Sequence, residues 1–299
     1  MSRATDRALL LIPVAVALVA AAPAFAQDGS DSDPQADVLE RGRYILHAGG
    51  CITCHTVEDD AAGLLAGGRA LESPFGTFYA PNITPDPDTG IGCWSDEDFL
   101  NAFWEGTNPD GDHYFPSFPY TAYTGVSRDD LLALKAYLFS VEPVVRENRE
   151  HDLALLVSSR TAAGAWKRLN FDAGRFVPDP EKDDEWNRGA YLVRHLGHCG
   201  ECHTPRSRTG ALLPEREMAG SELGDEKIPN ITPHRADGIG RWRASDIEYF
   251  LDIGMLPDGD FTGSSMVDVI EDNTSKLTRA DRRAIAAYLL SLPPLPDED

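Results

Sequence analysis

Two short stretches, Cys51-Ile52-Thr53-Cys54-His55 and Cys199-Gly200-Glu201-Cys202-His203, share the pattern Cys-x-x-Cys-His. This pattern is the attachment signature of haem c. The two thiols add across the vinyl groups of one haem, and the adjacent histidine reaches the iron as its proximal ligand. We therefore predict two covalently bound haem c groups. The expected attachment residues are Cys51, Cys54, Cys199 and Cys202, and the expected iron ligands are His55 and His203.

Disulfides, zinc sites and redox dithiols also use paired cysteines, but each predicts a different set of neighbouring residues. A chain with five cysteines could hold disulfides, and Cys-x-x-Cys also occurs in zinc sites and in redox dithiols. Zinc would require further Cys or His residues at ligand spacing. A redox dithiol gives no reason for a histidine directly after the second cysteine in both copies. The repeated histidine therefore favours haem.

The two motifs belong to an internal duplication. Cys199 follows Cys51 by 148 residues, and other features recur at or near this offset in the same order. The shared motifs are Pro-Asn-Ile-Thr-Pro at 81–85 and 229–233, Gly-Ile-Gly-x-Trp at 90–94 and 238–242, and Ala-Tyr-Leu at 136–138 and 287–289. The chain therefore reads as a tandem repeat of one haem-binding unit.

The duplication sets the expected domain boundaries. We predict haem-binding domains at residues 36–145 and 185–293, joined by a linker at 146–184. The linker contains apolar residues at 153–157 that would be costly to expose, so we expect it to pack across both domains. The final acidic segment, 294–299, is expected to form a disordered tail.

Helical periodicity and capping patterns predict an all-α fold. A short amphipathic helix precedes each Cys-x-x-Cys-His motif, and each domain closes with a helix that starts with a Ser/Thr-x-x-Asp capping pattern. A middle helix begins near Ser95 and near Ser245. The other expected helices are 38–48, 131–140, 186–196 and 282–292. The first and last helices of each domain should cross at Gly42 and at Gly189, because glycine permits close approach.

The composition describes an acidic globular protein. The 299 residues include 27 Lys and Arg against 49 Asp and Glu, for a formal net charge of −22. Such a surface repels nucleic acid. It suits a basic protein partner that docks by electrostatic steering, although acidity can also serve solubility alone.

The N-terminus predicts export. Arg3 and Arg7 precede an apolar stretch at 9–22, and Ala24-Phe25-Ala26 ends in small residues suited to signal peptidase. An uncleaved anchor is the alternative, but the apolar run is shorter than the ~20 residues that span a bilayer. We predict a signal peptide at 1–26, cleaved after Ala26, and a periplasmic protein without a transmembrane anchor.

Together the repeated motifs resemble class I cytochrome c domains, and in particular the multihaem cytochrome subunits of bacterial alcohol and gluconate dehydrogenases. The similarity is strongest at residues 186–192 (Trp-Asn-Arg-Gly-Ala-Tyr-Leu) and 198–206 (His-Cys-Gly-Glu-Cys-His-Thr-Pro-Arg). It covers nearly the whole chain after residue 26. The resemblance implies two tandem domains whose long loops enclose the haems. Those subunits usually bind three haems, whereas this sequence contains two attachment motifs.

The resemblance also implies a distal methionine on the loop before the last helix of each domain. Met266 lies at this position in the second domain, so we expect His203 and Met266 to ligate the second haem. The equivalent residue of the first domain is Phe118, which cannot ligate iron. Met/His ligation raises the potential of a haem. The two haems are therefore expected to differ.

Three residues could supply the missing ligand of the first haem. His113 lies five residues before Phe118, Cys93 is the one thiol outside the two motifs, and His151 belongs to the linker. Cys93 could equally be a small packing residue. The first iron could also stay open or bind water, and the sequence does not choose among these alternatives.

The resemblance implies an electron-transfer cytochrome that takes electrons from a periplasmic dehydrogenase and delivers them to a downstream cytochrome or oxidase. We expect a carrier rather than an enzyme. The alternative is a haem enzyme that oxidises a small molecule or sulfur compound at the first haem, as diheme thiosulfate dehydrogenases do. A diheme peroxidase also has two Cys-x-x-Cys-His motifs, but the close tandem repeat favours two similar carriers.

Overall fold

The computed structural model describes residues 33–57, 63–224 and 226–297. The predicted signal peptide at 1–26 and the last two residues of the predicted tail lie outside the described residues. Within the described ranges, no helix is both long and apolar enough to cross a membrane.

Helices dominate the described part of the chain, which confirms the predicted helical character. The α-helices are α1 (Pro34–Ala48), α2 (Cys51–His55), α3 (Asp96–Glu105), α4 (Tyr120–Tyr123), α5 (Arg128–Leu138), α6 (Arg160–Asn170), α7 (Asp184–Tyr191), α8 (Gly200–His203), α9 (Ala244–Ile253), α10 (Ser265–Asp272) and α11 (Arg279–Ser291). A π-helical turn spans Leu192–Leu196, and 3-10 turns span Pro214–Arg216 and Thr274–Lys276. The order of helices around each Cys-x-x-Cys-His motif is the same in the two halves.

Short strands also form, which the all-α prediction did not include. The strands are β1 (Ala70–Ser73), β2 (Gly76–Tyr79), β3 (Asp152–Leu153), β4 (Ser221–Leu223) and β5 (Glu226–Ile228). The β1–β2 hairpin is antiparallel and is joined by β3, while β4 and β5 form a second antiparallel hairpin. These strands have only two to four residues, too few to show an alternating pattern in the sequence.

The predicted capping residues start the expected helices. Ser95 and Asp98 form a capping box at α3. The Ser127 side chain accepts a hydrogen bond from the Asp130 amide at α5, and Thr278 does the same for Asp281 at α11. These bonds satisfy amides that the first helical turn leaves without a partner.

Each half is closed by a pair of helices in close contact. A Cβ atom added to Gly42 of α1 would lie 2.0 Å from the carbonyl oxygen of Ala133 in α5. A Cβ atom added to Gly189 of α7 would likewise lie 2.0 Å from the carbonyl oxygen of Ala284 in α11. No side chain fits at that distance, so both crossings require glycine. The predicted crossing of first and last helices is confirmed.

The second half differs from the first by one extra residue before its haem motif. Nine positions separate Gly42 from Cys51, whereas ten separate Gly189 from Cys199. The Gly49 amide donates to the Ile45 carbonyl four residues back, but the equivalent Gly197 amide donates to Leu192 five residues back. The π-helical turn accommodates the insertion, as such turns do inside α-helices.

The linker touches both halves of the molecule. Ala163 of α6 packs with Phe78 and Phe115, and the Trp166 indole nitrogen donates to the Thr209 carbonyl at 2.8 Å. Its apolar segment behaves differently from the prediction. Leu155 and Leu156 are 89% and 90% exposed, because only Leu153 of that segment pairs with β2.

The described part of the C-terminal tail, residues 294–297, contacts the second half. The Asn230 side chain donates to the Leu295 carbonyl at 2.8 Å, and Lys227 pairs with Asp297 at 3.1 Å. The Asn82 side chain makes the equivalent bond, at 2.7 Å, to the Val144 carbonyl in the first half. The two asparagines therefore bond equivalent segments in the two halves.

Candidate haem-binding sites

The four motif cysteines are free thiols that sit at the start and middle of short helices. Burial raises the pKa of Cys51 and of Cys199 to about 12. Burial also raises the pKa of Cys54, and it raises that of Cys202 to about 11. Burial therefore acts in the same direction on all four motif cysteines.

The two motif histidines are oriented in the same way. His55 Nδ1 donates to the Pro81 carbonyl at 2.7 Å, and His203 Nδ1 donates to the Pro229 carbonyl, also at 2.7 Å. Burial lowers the pKa of both rings, so both are neutral. A ring that donates through Nδ1 keeps the lone pair of Nε2 free for a metal. A metal-binding histidine typically has such a bond on its other nitrogen.

The Pro-Asn-Ile-Thr-Pro loops hold the motif histidines through these hydrogen bonds. Each loop supplies the carbonyl of its first proline to the motif histidine, and its asparagine folds back on the loop. The Asn82 Oδ1 accepts from the Thr84 amide at 2.9 Å, and Asn230 does the same for Thr232 at 2.9 Å. The repeated sequence therefore fixes the orientation of each motif histidine ring from 26 residues away.

The two motif segments lie on either side of one interface between the halves. The Tyr123 hydroxyl donates to the Gly49 carbonyl at 2.6 Å, and His198 Nε2 lies 3.3 Å from the same oxygen. The charge of Cys54 also contributes, after burial and Glu201, to the raised pKa of Cys202. The two motif segments therefore meet at this interface through His198 and Gly49.

A pair of crossed bonds holds this interface together. The Tyr44 hydroxyl of the first half donates to Asp281 of the second at 2.5 Å. Tyr191 of the second half donates to Asp130 of the first at 2.5 Å. Each aspartate also pairs with an arginine of its own half, Arg188 with Asp281 at 2.6 Å and Arg41 with Asp130 at 2.8 Å.

Sequence reasoning did not find this function of the two tyrosines. Arg-Gly-x-Tyr occurs at 41–44 and 188–191, so the signal was present as a repeated tetrapeptide. A repeat alone does not show that each tyrosine reaches the opposite half. His47 and His195 form a second pair of this kind. Their Nδ1 atoms donate across the interface to the Asp272 and Ala122 carbonyls at 2.7 and 2.9 Å.

Met266 lies near the start of α10 and packs partly buried against the main core. Its neighbour Ser265 donates to Glu226 at 2.9 Å, and the charge of Glu226 is among the influences that raise the pKa of Cys202. The segment with Met266 therefore contacts the β4–β5 hairpin of the second half, and its Asp268 also pairs with Arg69 of the first half at 2.6 Å. Met218, 1% exposed, is a core residue, as is expected for a packing methionine.

Phe118 occupies the equivalent place in the first half and belongs to an aromatic cluster. Its ring contacts those of Phe103, Tyr114 and Tyr123 at centroid distances of 5.3, 5.5 and 5.6 Å. Two of these contacts are edge-to-face, an arrangement that stabilises aromatic pairs. The second half has Leu251, Thr262 and Glu271 where the first has these three partners.

The three candidate substitutes for a first-haem ligand are each engaged with another part of the fold. The His113 ring packs against Gly164 of α6, and its Nδ1 is buried without a hydrogen-bond partner among the described residues. Cys93 is exposed, and its Sγ contacts the Pro87 carbonyl in its own loop at 3.4 Å. His151 Nδ1 accepts from the Tyr79 amide at 3.2 Å.

Paired free thiols followed by a histidine with a free Nε2 fit a covalently bound haem, and this set of residues defines a c-type cytochrome. The comparisons with known proteins agree. A protein of Cereibacter sphaeroides named "Diheme cytochrome c-type" is 46% identical over 260 residues, which cover 85% of this chain and 85% of that protein. The chain belongs to this family of diheme c-type cytochromes.

Two further relatives are subunits of dehydrogenases. The fructose dehydrogenase cytochrome subunit of Gluconobacter japonicus is 38% identical over 257 residues, 85% of this chain and 52% of that subunit. The gluconate 2-dehydrogenase cytochrome c subunit of Pantoea cypripedii is 37% identical over 292 residues, 93% of this chain and 64% of that subunit. The chain thus spans about half to two thirds of these subunits. No protein-family model matches it.

Proposed function

We propose that the chain is a periplasmic diheme electron carrier that takes electrons from a dehydrogenase and passes them to a downstream cytochrome or oxidase. Each half would form one class I cytochrome c domain, with the domains at 36–145 and 185–293. When bound, each haem c would accept and release a single electron. The cysteines of each motif would attach one haem.

The observation that carries this proposal is the repeated geometry of the two motif histidines. His55 and His203 donate through Nδ1 to equivalent proline carbonyls at the same distance of 2.7 Å. Both rings are therefore presented as neutral Nε2 ligands held in a fixed orientation. A fixed ligand suits electron transfer, because little rearrangement accompanies a change in oxidation state.

The distal sides would differ. Met266 would complete the second site, since its segment contacts the β4–β5 hairpin of the second half through Ser265 and Glu226. In the first site Phe118 stands at the equivalent position, and His113 and Cys93 are directed to α6 and to their own loop. We therefore propose a first haem without a protein ligand on its distal side. Electrons would run from the first, lower-potential site to the second.

The partners follow from the relatives and from charge. Cytochrome subunits of fructose and gluconate dehydrogenases match this chain over at least 85% of its length, which supports a dehydrogenase as electron donor. The formal net charge of −22 supports a basic acceptor that docks by electrostatic steering. The predicted signal peptide at 1–26 supports a periplasmic location.

The test is an electron titration of the purified holoprotein. Potentiometry followed by optical spectra should resolve two one-electron steps for each chain, with separated midpoint potentials. The reduced protein should then be oxidised by a basic soluble cytochrome c at a rate that falls as salt is added, because steering between opposite charges is screened.

Met266→Leu sharpens the same titration, because leucine fills the space but cannot bind iron. The higher midpoint potential should fall and the lower one should stay unchanged. Met255→Leu is the matched control, since Met255 pairs with Phe261 in a turn of the same half, and it should leave both potentials as they are. A single one-electron step in the parent protein would overturn the proposed carrier.

A further inference from the structure

One residue breaks the symmetry of the interface between the two motif segments. The position immediately before the first cysteine is Gly50 in the first half and His198 in the second. A Cβ atom added to Gly50 would lie 3.6 Å from His198 Nε2 and 3.1 Å from the side-chain Nδ2 of Asn273. A side chain at position 50 would therefore touch the histidine ring and crowd the Asn273 side chain.

The histidine connects the two segments directly. His198 Nε2 lies 3.3 Å from the Gly49 carbonyl oxygen, to which it donates when Nε2 carries the proton. Cys199 follows His198, and Cys51 follows Gly50. A path of covalent bonds with a single hydrogen bond thus joins Cys199 to Cys51.

The surroundings hold the ring in place. The Tyr123 hydroxyl donates to the same Gly49 oxygen at 2.6 Å, and the Tyr123 ring meets the His198 ring edge-on at 5.3 Å and 86°. The backbone of His198 has φ 39°, a conformation rare for residues other than glycine. A non-glycine residue at such a position points to a specific role.

We propose that His198 is the positioning residue that couples the two haem sites, by tying Cys199 to the Gly49–Cys51 segment through its hydrogen bond. This rests on the proposed function as a two-haem carrier. One electron would leave the first haem, which becomes oxidised, and reach the second, which becomes reduced, while no bond forms or breaks. His198 would hold the segments at the separation that this transfer needs.

A second route crosses the same interface. The Thr121 hydroxyl of the first half donates to Glu201 of the second motif at 3.0 Å, so the two segments also meet without any help from His198. An electron that crosses between the two thioether edges would bypass the histidine. The two routes make opposite predictions for variants at position 198.

The experiment measures the rate of electron equilibration between the haems of the holoprotein after pulse radiolysis has reduced one of them. His198→Phe keeps a ring beside Tyr123 and removes the hydrogen bond, and the rate should fall several-fold. His195→Gln is the matched control, because His195 also bonds across the interface, to the Ala122 carbonyl at 2.9 Å, but lies off the path. It should equilibrate at the parent rate.

Two further measurements separate coupling from general damage. Both midpoint potentials and the haem content should be unchanged in His198→Phe, since a merely structural defect would shift a potential or lose a haem. If that variant does not fold, His198→Gly replaces it, because glycine tolerates φ 39° and reproduces Gly50 of the first half. Its rate should also fall several-fold.

Different results would overturn the role of His198 and the proposed carrier. Equilibration at the parent rate in His198→Phe or His198→Gly, with both haems present, would overturn the role of His198 and assign the transfer to the second route. Fewer than two haems in the parent protein, or two that do not exchange electrons, would instead overturn the proposed carrier before any variant is made.

Discussion

The two halves hold their motif histidines alike and differ around the equivalent residues Phe118 and Met266. His55 and His203 each donate to a proline carbonyl at 2.7 Å. Phe118, by contrast, contacts three aromatic rings, while Met266 of the second half has non-aromatic residues at all three equivalent positions. The duplicated unit therefore keeps the hydrogen bonds of its motif histidines and varies the residues around Phe118 and Met266. Under the proposed function, aromatic packing around Phe118 would take the place of a thioether ligand in the first half.

The largest expected effect follows from removing one attachment site. Cys51→Ala combined with Cys54→Ala should lower the haem content from two to one for each chain, because the second motif keeps both of its thiols. The pyridine haemochrome spectrum of purified protein measures this ratio.

The unpaired thiol supplies the control for that experiment. Cys93 is exposed and lies outside both motifs, so Cys93→Ser should keep two haems. An unchanged ratio in the double alanine variant would contradict the assignment of Cys51 and Cys54.

Exchanging the distal residue should make the first site resemble the second. Phe118→Met should raise the lower midpoint potential and abolish carbon monoxide binding at the first haem, since methionine can ligate iron and phenylalanine cannot. Phe118→Leu keeps an apolar residue without a ligand and should do neither. If both variants bind carbon monoxide equally, Phe118 does not face the first iron.

The hydrogen bonds from Tyr44 to Asp281 and from Tyr191 to Asp130 should increase the free energy of unfolding. Burial acts to raise the pKa of Asp281, but hydrogen bonds from Arg188 and Tyr44 outweigh it, and the pKa is lowered. Asp281→Asn should reduce the free energy of unfolding by about 1.5–3 kcal/mol near neutral pH, the usual range for hydrogen bonds to charged groups. Urea denaturation of the holoprotein measures the difference.

The same variant carries a prediction about pH. A carboxylate whose pKa is lowered by folding adds stability above its unfolded pKa, about 3.9, and loses it as the pH falls through the folded value. The gap between the parent protein and Asp281→Asn should therefore narrow below about pH 4. Asp258→Asn, at an exposed turn, should show no gap at any pH, and a constant gap in Asp281→Asn would refute the linkage.

The smallest expected effect concerns a partly exposed ion pair between the halves. Arg69 and Asp268 are 2.6 Å apart, with about a third of each side chain exposed. Arg69→Gln should cost at most about 1 kcal/mol in the free energy of unfolding, and less at high salt. A larger, salt-independent loss would mean that Arg69 also supports the first site directly.

Much of the fold and of the proximal site could be predicted from local sequence. Helix starts at Ser95, Ser127 and Thr278 follow from side chains that bond amides three residues away, and the glycine crossings follow from a missing side chain. Attachment chemistry is likewise local, because the cysteines and the histidine of each motif adjoin. The assignment of these residues to haem stays a prediction.

The remainder depends on contacts between distant residues. Nothing near Tyr44 or Tyr191 in the sequence shows that each would bond an aspartate of the opposite half. The exposure of Leu155 and Leu156 contradicts a rule that apolar residues are buried, and their hydrophobicity alone could not reveal it. The one-residue insertion before Cys199 was visible as a change of offset, but the π-helical turn it produces was not.

Carbon monoxide binding by the fully reduced holoprotein tests the contrast between the two distal sides most directly, with low-temperature electron paramagnetic resonance of the oxidised form as its companion. We expect one of the two haems to bind carbon monoxide and to be high-spin when oxidised, and the other to show a low-spin His/Met signal. Two low-spin haems that both ignore carbon monoxide would contradict this expectation, and would require a sixth ligand for the first iron.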